Sequence, residues 1–121
     1  MDRSADLRVL IAEDETLIRL DLAETLTELG LVVVGAVSNG QLAVDFARAL
    51  RPDVVLMDVS MPIRDGISAA QEIIGLGIAP VVLLSAFSQN DLVRSAAEVG
   101  TFGYLVKPFT GVEVRAALVL A

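Results

Sequence analysis

Short apolar segments alternate along the chain with segments in which apolar side chains recur at helical spacing. The apolar segments are rich in valine and leucine and lack strict alternation with polar residues, which is typical of strands covered on both faces of a sheet. This pattern predicts five strands, at residues 7–12, 31–36, 53–58, 79–85 and 102–107.

The segments between the predicted strands have the spacing of helices. In the first of them, an apolar stripe runs from Ile18 through Leu22 and Leu26 to Leu29, and Gly30 supplies a stop. Two further helices are predicted over residues 39–50 and 66–77. The last two are indicated by residue pairs typical of helix starts, Ser88 with Asp91 and Thr110 with Glu113.

Repeated alternation of strand and helix predicts an α/β fold. We expect a single domain over residues 1–121 with a five-stranded, doubly wound parallel sheet, (βα)5, and right-handed crossovers. Sheets of this kind commonly have the strand order 2-1-3-4-5. In that order the first and third strands are neighbours at the point where the winding reverses, and ligands bind beyond the carboxyl ends of the strands there.

Composition narrows the chemistry that the chain can perform. It contains no cysteine and no histidine, which excludes disulfides, thiol catalysis, Ser-His-Asp triads and histidine-ligated metal sites. The net charge of −7 argues against direct binding of nucleic acid or anionic lipid. No apolar stretch approaches the roughly 20 residues of a membrane span, and a cytoplasmic location is expected. Chemistry is left to carboxylates, hydroxyls, lysine, backbone groups and an oxygen-binding metal.

Polar side chains that could bind a ligand or react lie where the predicted strands end. Glu13 and Asp14 end the first strand, Asp58 the third, Ser85 the fourth and Lys107 the fifth. Because adjacent strands lie about 4.8 Å apart, Asp14 and Asp58 would come close together. Their repulsion would either raise the pKa of one carboxyl group or require a bound cation. Oxygen ligands alone favour Mg²⁺. A metal, a hydroxyl and an ammonium around one carboxylate indicate a site for a phosphoryl group.

Each of these residues also has an ordinary structural explanation. Asp14 could cap the first helix, Lys107 could simply end a strand, and the segment after Asp58 is rich in turn-forming residues. Ser85 by itself carries little information. Their coincidence at one edge of one sheet is what favours a functional site.

Four segments of the chain resemble the receiver domain of two-component response regulators. They are EDE (13–15), MDVSMPIRDG (57–66), LLSAF (83–87) and YLVKPF (104–109), in the right order and spacing. The resemblance covers nearly the whole chain and implies a flavodoxin-like receiver fold. A finer similarity, to receivers of the antiterminator type whose C-terminal helical domain binds RNA, lies in LIAEDETLIRLDLAETLTELG and APVVLLSAFSQNDLV. Such an output domain is expected to be absent here, and this domain by itself is not expected to bind RNA.

The resemblance implies a role for each acid at the site. Asp58 corresponds to the phosphoacceptor, which takes a phosphoryl group from a phosphohistidine on a sensor histidine kinase or phosphotransfer protein. Asp14 and Asp58 would bind Mg²⁺ directly, and the backbone carbonyl of Ser60 would be a further ligand. Glu13 would act mostly through water.

The remaining matches imply a switch. Lys107 would pair with the phosphoryl oxygens, aimed by a cis bond to Pro108, while Ser85 and Tyr104 stand at the switch positions. A phosphoryl group adds about two negative charges, so that the Ser85 hydroxyl can swing toward it and Tyr104 can turn inward. The face formed by the fourth helix, fifth strand and fifth helix is then expected to bind a partner or a second copy as a homodimer.

The residues at the site also bear on three alternative functions. A Mg²⁺-dependent phosphohydrolase of the haloacid dehalogenase type needs a second acid two residues after its nucleophile, where this chain has Ser60. A dinucleotide-binding domain would want glycines after the first strand, where this chain has three acids. The main rival is an atypical receiver that binds partners without phosphorylation. We expect no enzymatic activity beyond self-phosphorylation and autodephosphorylation.

Overall fold

The computed structural model describes residues 7–85, 100, 103–106 and 111–120. Its strands are β1 (Arg8–Ala12), β2 (Val32–Val37), β3 (Val54–Asp58), β4 (Val81–Ser85) and β5 (Gly103–Val106). Its helices are α1 (Thr16–Glu28), α2 (Gly40–Leu50), α3 (Gly66–Gly75) and a C-terminal helix (Gly111–Leu120). The predicted start of a helix at Ser88 and Asp91 lies outside the described residues, as does Thr110.

The five strands form one parallel sheet in the order β2-β1-β3-β4-β5. The α/β class, the parallel pairing and the predicted order 2-1-3-4-5 are thereby confirmed. The first and third strands are neighbours, so their carboxyl ends meet at the point where the winding of the sheet reverses. No helix within the described ranges is long and apolar enough to cross a membrane.

Alternate side chains along the strands enter two separate cores. Val9 and Ile11 pack with residues of α1 and the C-terminal helix, whereas Leu10 and Ala12 pack with residues of α2 and α3. All four side chains are fully buried. Both faces of the strand need apolar residues, which explains the uninterrupted apolar segments of the sequence.

The helices begin in two different ways. Asn39 and Asp65 cap α2 and α3, because their side chains accept hydrogen bonds from Leu42 N at 2.9 Å and from Ser68 N at 2.8 Å. At α1 the capping position is Glu15, whose side chain makes no capping hydrogen bond. The helix-cap explanation of Asp14 is therefore excluded.

Candidate functional site

Three carboxylates converge where β1 and β3 end. Ala12 pairs with Met57 across the two strands, so the residues that follow, Glu13 and Asp58, lie side by side at the carboxyl edge of the sheet. Carboxylate oxygens of Glu13, Asp14 and Asp58 all lie within 4.8 Å of one another. The predicted approach of Asp14 and Asp58 is confirmed, and Glu13 joins them.

These carboxylates differ in their exposure to solvent. The side chains of Glu13 and Asp58 are 0% and 5% exposed, whereas Asp14 is open to solvent. Asp58 Oδ1 accepts a hydrogen bond from the backbone N–H of Ser60 at 3.1 Å. Three negative charges at this spacing, two of them withdrawn from water, favour a bound cation. A donor set made only of oxygen suits a hard divalent cation such as Mg²⁺, so the residues present fit the ion.

An arginine on α1 holds the loop that carries two of the acids. The half-buried Arg19 donates from Nη1 to the carbonyl oxygen of Glu13 at 2.7 Å, and at 3.5 Å to that of Asp14. Its backbone N–H donates to the carbonyl of Glu15 at 2.9 Å. Arg19 was not predicted as a site residue. Its position in the first turns of the helix that follows three acids could have indicated a role at the site.

The first residue of α3, Gly66, packs against the backbone of Asp58. Gly66 is buried and donates its N–H to the carbonyl of Val59 at 2.8 Å. A Cβ atom built on Gly66 would overlap the carbonyl oxygen of Asp58. The sequence predicts Gly66 as the start of a helix, which the structure confirms. The structure adds a closer role, because only glycine lets this helix approach the strand end so closely.

The loop between β3 and α3 is tied to both neighbouring helices through Arg64. Its guanidinium donates to Glu72 Oε1 at 2.8 Å and to Ser68 Oγ at 3.0 Å, and its carbonyl accepts from Gly40 N at 3.0 Å. Arg48 reaches the same glutamate at 3.0 Å. Hydrogen bonds from Arg64 first, and then from Arg48, lower the pKa of Glu72 below its ordinary 4.5. These contacts restrain the loop that follows Asp58.

Ser85 ends the strand beside Asp58. Asp58 pairs with Leu84 of β4, so Ser85 lies one residue further toward the carboxyl edge, and it is 1% exposed. The hydrogen bond from Val59 N to the carbonyl of Leu84, at 2.9 Å, continues the pairing past Asp58. The predicted placement of Ser85 next to the acidic site is thus confirmed.

The predictions for the fifth strand are tested only in part. Ser85 pairs with Val106 of β5, which brings the end of that strand to the same edge. Lys107 and Pro108 lie outside the described residues. The backbone of Tyr104 belongs to β5, and its side chain is likewise outside what the structure describes.

The fold and the acidic edge define the class of protein. Residues 9–119 match the family model described as the response regulator receiver domain, and the chain belongs to this family. The transcriptional regulatory protein PdtaR of Mycobacterium tuberculosis is 54% identical over 120 residues, which are 99% of this chain and 58% of PdtaR. The chain therefore spans less than two thirds of that relative. The chemotaxis protein CheY of Thermotoga maritima is 38% identical over 112 residues, covering 92% of this chain and 93% of CheY.

Solved structures of receivers superpose closely on the chain. The signal receiver domain of the response regulator NarL from Mycobacterium tuberculosis gives a TM-score of 0.88 at 32% identity, covering 94% of both chains. A CheX–CheY complex with BeF3 and Mg²⁺ from Borrelia burgdorferi gives 0.84 at 27% identity, covering 95% of this chain and 90% of the matched chain.

Proposed function

We propose that the chain is a phosphoryl-accepting receiver in which Asp58 is the acceptor and Mg²⁺ is required. The observation that carries this proposal is the convergence of Glu13, Asp14 and Asp58 within 4.8 Å at the carboxyl edge of the sheet. Family membership supports it, because receivers act with kinases and phosphotransfer partners. The Asp58 carboxylate accepts a hydrogen bond from Ser60 N–H, and Gly66 packs against the Asp58 backbone.

The transfer itself is a displacement at phosphorus. A carboxylate oxygen of Asp58 attacks the phosphorus of a phosphohistidine, and the P–N bond breaks. The electron pair stays on the imidazole nitrogen, which takes up a proton, and Asp58 becomes an acyl phosphate. Since this chain has no histidine, the donor must belong to a partner, which we take to be a sensor histidine kinase or a phosphotransfer protein.

The proposed ligands of the cation are the residues of the acidic edge. Asp14 and Asp58 would bind Mg²⁺ directly, with the carbonyl of Ser60, and Glu13 would act through water. When bound, the ion neutralises charge on the phosphoryl oxygens. Lys107 would contribute a second positive charge there. The presence of Mg²⁺ in the related CheX–CheY complex supports this assignment.

The consequence of phosphorylation is proposed to be a change in the binding surface. The new charge on Asp58 would attract the Ser85 hydroxyl, and Tyr104 would follow by turning inward. The face containing β5 and the C-terminal helix would then bind a partner or a second copy of the chain. Because PdtaR is described as a transcriptional regulatory protein, we propose that this switch serves a regulatory output and not turnover of an external substrate.

Intact mass spectrometry after incubation with a small-molecule phosphodonor tests the proposal. We expect the wild-type chain to gain one phosphoryl group with Mg²⁺ and none without it. Asp58→Asn should gain none under either condition. Asp53→Asn is the matched control, because Asp53 precedes the same strand at the opposite edge, where it accepts from Arg8 N at 2.9 Å; it should behave as wild type.

Two results would contradict the proposal. Equal modification of Asp58→Asn and wild type would remove Asp58 as the acceptor. A folded wild-type chain that binds no Mg²⁺ and gains no phosphoryl group would favour the rival function, a receiver that binds partners without being phosphorylated.

A further inference from the structure

Arg19 binds the backbone of the acidic loop instead of a carboxylate. Its Nη1 donates to the carbonyl oxygen of Glu13 at 2.7 Å and, over a longer 3.5 Å, to that of Asp14. The arginine therefore restrains the main chain at Glu13 and Asp14, the first two of the three acids that precede α1. A charge-neutralising arginine would be placed against the carboxylate groups, whereas these contacts of Arg19 are with the peptide carbonyls.

Two features of the loop between β1 and α1 would destabilise it without such a restraint. Glu13, Asp14 and Asp58 hold three negative charges within 4.8 Å, and before a cation binds these charges repel one another. The helix that follows begins without a side-chain cap, because Glu15 makes none. Glu13 is held by its N–H bond to the carbonyl of Val37 at 3.0 Å, but Asp14 lies one residue further out and is exposed.

We propose that Arg19 is a positioning residue for the Mg²⁺ site, which holds the carboxylates of the β1–α1 loop where the cation needs them. This inference rests on the proposed function, because it presupposes that the acidic edge binds Mg²⁺. A loop already ordered before binding loses less conformational freedom when the ion arrives. Groups that orient metal ligands commonly change metal affinity by about tenfold or more when they are removed.

The positive charge of Arg19 weakens Mg²⁺ binding, whereas its restraint on the loop strengthens it. A guanidinium close to the site repels a divalent cation, so its removal would tighten Mg²⁺ binding if charge were the main effect. The two effects separate in salt, because at about 1 M ionic strength the Debye length falls to roughly 3 Å. The contribution of charge is then largely screened, whereas the restraint on the loop is retained.

Arg8, at the start of the strand that the acids follow, offers a matched control for Arg19. It is half-buried like Arg19, and its guanidinium also donates to two consecutive carbonyls, those of Leu50 and Arg51, both at 2.8 Å. It begins β1, whereas the acids follow the end of β1. Arg8→Met and Arg19→Met therefore remove the same charge and the same type of bond at opposite edges of the sheet.

Isothermal titration with Mg²⁺ tests the inference in wild type, Arg19→Met, Arg19→Lys and Arg8→Met. We expect Arg19→Met to raise the dissociation constant about tenfold at about 1 M salt, and by less at low salt, because loss of the repelling charge there offsets part of the effect. Arg19→Lys, which keeps the charge and one donor, should recover at least half of the loss on a logarithmic scale. Arg8→Met should bind as wild type does. If Arg19→Met does not fold, Arg19→Gln takes its place with the same expectation.

A second measurement separates positioning from a general loss of structure. The rate of phosphorylation by a small-molecule donor should be lower in Arg19→Met at limiting Mg²⁺ and should return to the wild-type rate at saturating Mg²⁺. At about 1 M salt, a dissociation constant for Arg19→Met equal to or lower than that of wild type would overturn the role of Arg19 and leave the metal site intact. Absence of Mg²⁺ binding in wild type would instead overturn the proposed function, and this inference with it.

Discussion

Gly66 determines how closely the start of α3 approaches the backbone of Asp58. A methyl group at this position would overlap the carbonyl oxygen of Asp58, and the nearest atoms all belong to the backbone of Asp58 and Val59, which leaves little room for adjustment. We expect Gly66→Ala to lower the free energy of unfolding by roughly 3 kcal/mol, measured by urea denaturation.

The other end of the same helix provides the control for Gly66. A Cβ atom on Gly75 would meet nothing within 4 Å, so Gly75→Ala should be neutral or stabilising by up to roughly 1 kcal/mol. Equal effects of the two substitutions would show that the close contact with Asp58 has no energetic weight.

Single residues differ in how far the sequence predicts their roles. Glu13, Asp14, Asp58 and Ser85 could be assigned to one edge, because each follows a recognisable apolar strand. Arg19 could not, since a helical arginine usually faces solvent and its partners here are peptide carbonyls. Ile63 has a φ of 68°. A β-branched residue is strained in this left-handed conformation, and nothing in the sequence predicts it.

At the scale of elements, the contacts of Glu72 join α2 and α3 to the loop after Asp58. Hydrogen bonds from Arg64 and then Arg48 hold the pKa of Glu72 below its ordinary 4.5. A carboxyl group whose pKa is lowered by folding stabilises the folded state when it is ionised. That contribution is present above pH 4.5 and is lost as the pH falls through the lower pKa of the folded protein.

Urea denaturation of wild type and Glu72→Gln over a range of pH checks this linkage. The variant should be less stable than wild type at neutral pH, and the difference should shrink steadily as the pH falls below 4.5. Glu24→Gln, at an exposed position of α1, controls for the loss of one negative charge. A difference between wild type and Glu72→Gln that is the same at neutral and at acidic pH would contradict the assignment.

Elements could be predicted from hydrophobic pattern to within a few residues. The five strands were expected because both sheet faces are covered, and the structure has all five. Where the ends differ, local backbone chemistry explains the difference. β4 begins at Val81, after Pro80, which has no N–H to donate to a ladder. The predicted helix over 66–77 ends at Gly75, and Gly77 has a positive φ of 67°.

At the scale of the whole molecule, an apolar patch borders the acidic edge. Leu17 and Leu20 on α1 are 81% and 60% exposed, and α1 begins directly after the acidic loop. Exposed leucines beside a site that we propose to accept a phosphoryl group from another protein favour docking of that donor here. We expect the double substitution Leu17→Ala and Leu20→Ala to slow phosphotransfer from a cognate kinase about tenfold, the usual effect of losing an apolar anchor.

The same variant should accept phosphoryl groups from a small molecule at the wild-type rate. Leu76→Ala is the control, since Leu76 is 51% exposed at the far end of α3, away from the acidic edge; it should leave both rates unchanged. Equal loss with the kinase and with the small donor would show that the leucines affect the site itself and not docking.

The central claim is that Asp58, among three acids within 4.8 Å, carries the phosphoryl group. The most direct measurement is to phosphorylate the wild-type chain with Mg²⁺, reduce the acyl phosphate to an alcohol with borohydride, and map the modified residue by peptide mass spectrometry. We expect reduction at Asp58 alone, and none in a sample treated without Mg²⁺. Reduction at Glu13 or Asp14 with Asp58 untouched would contradict it.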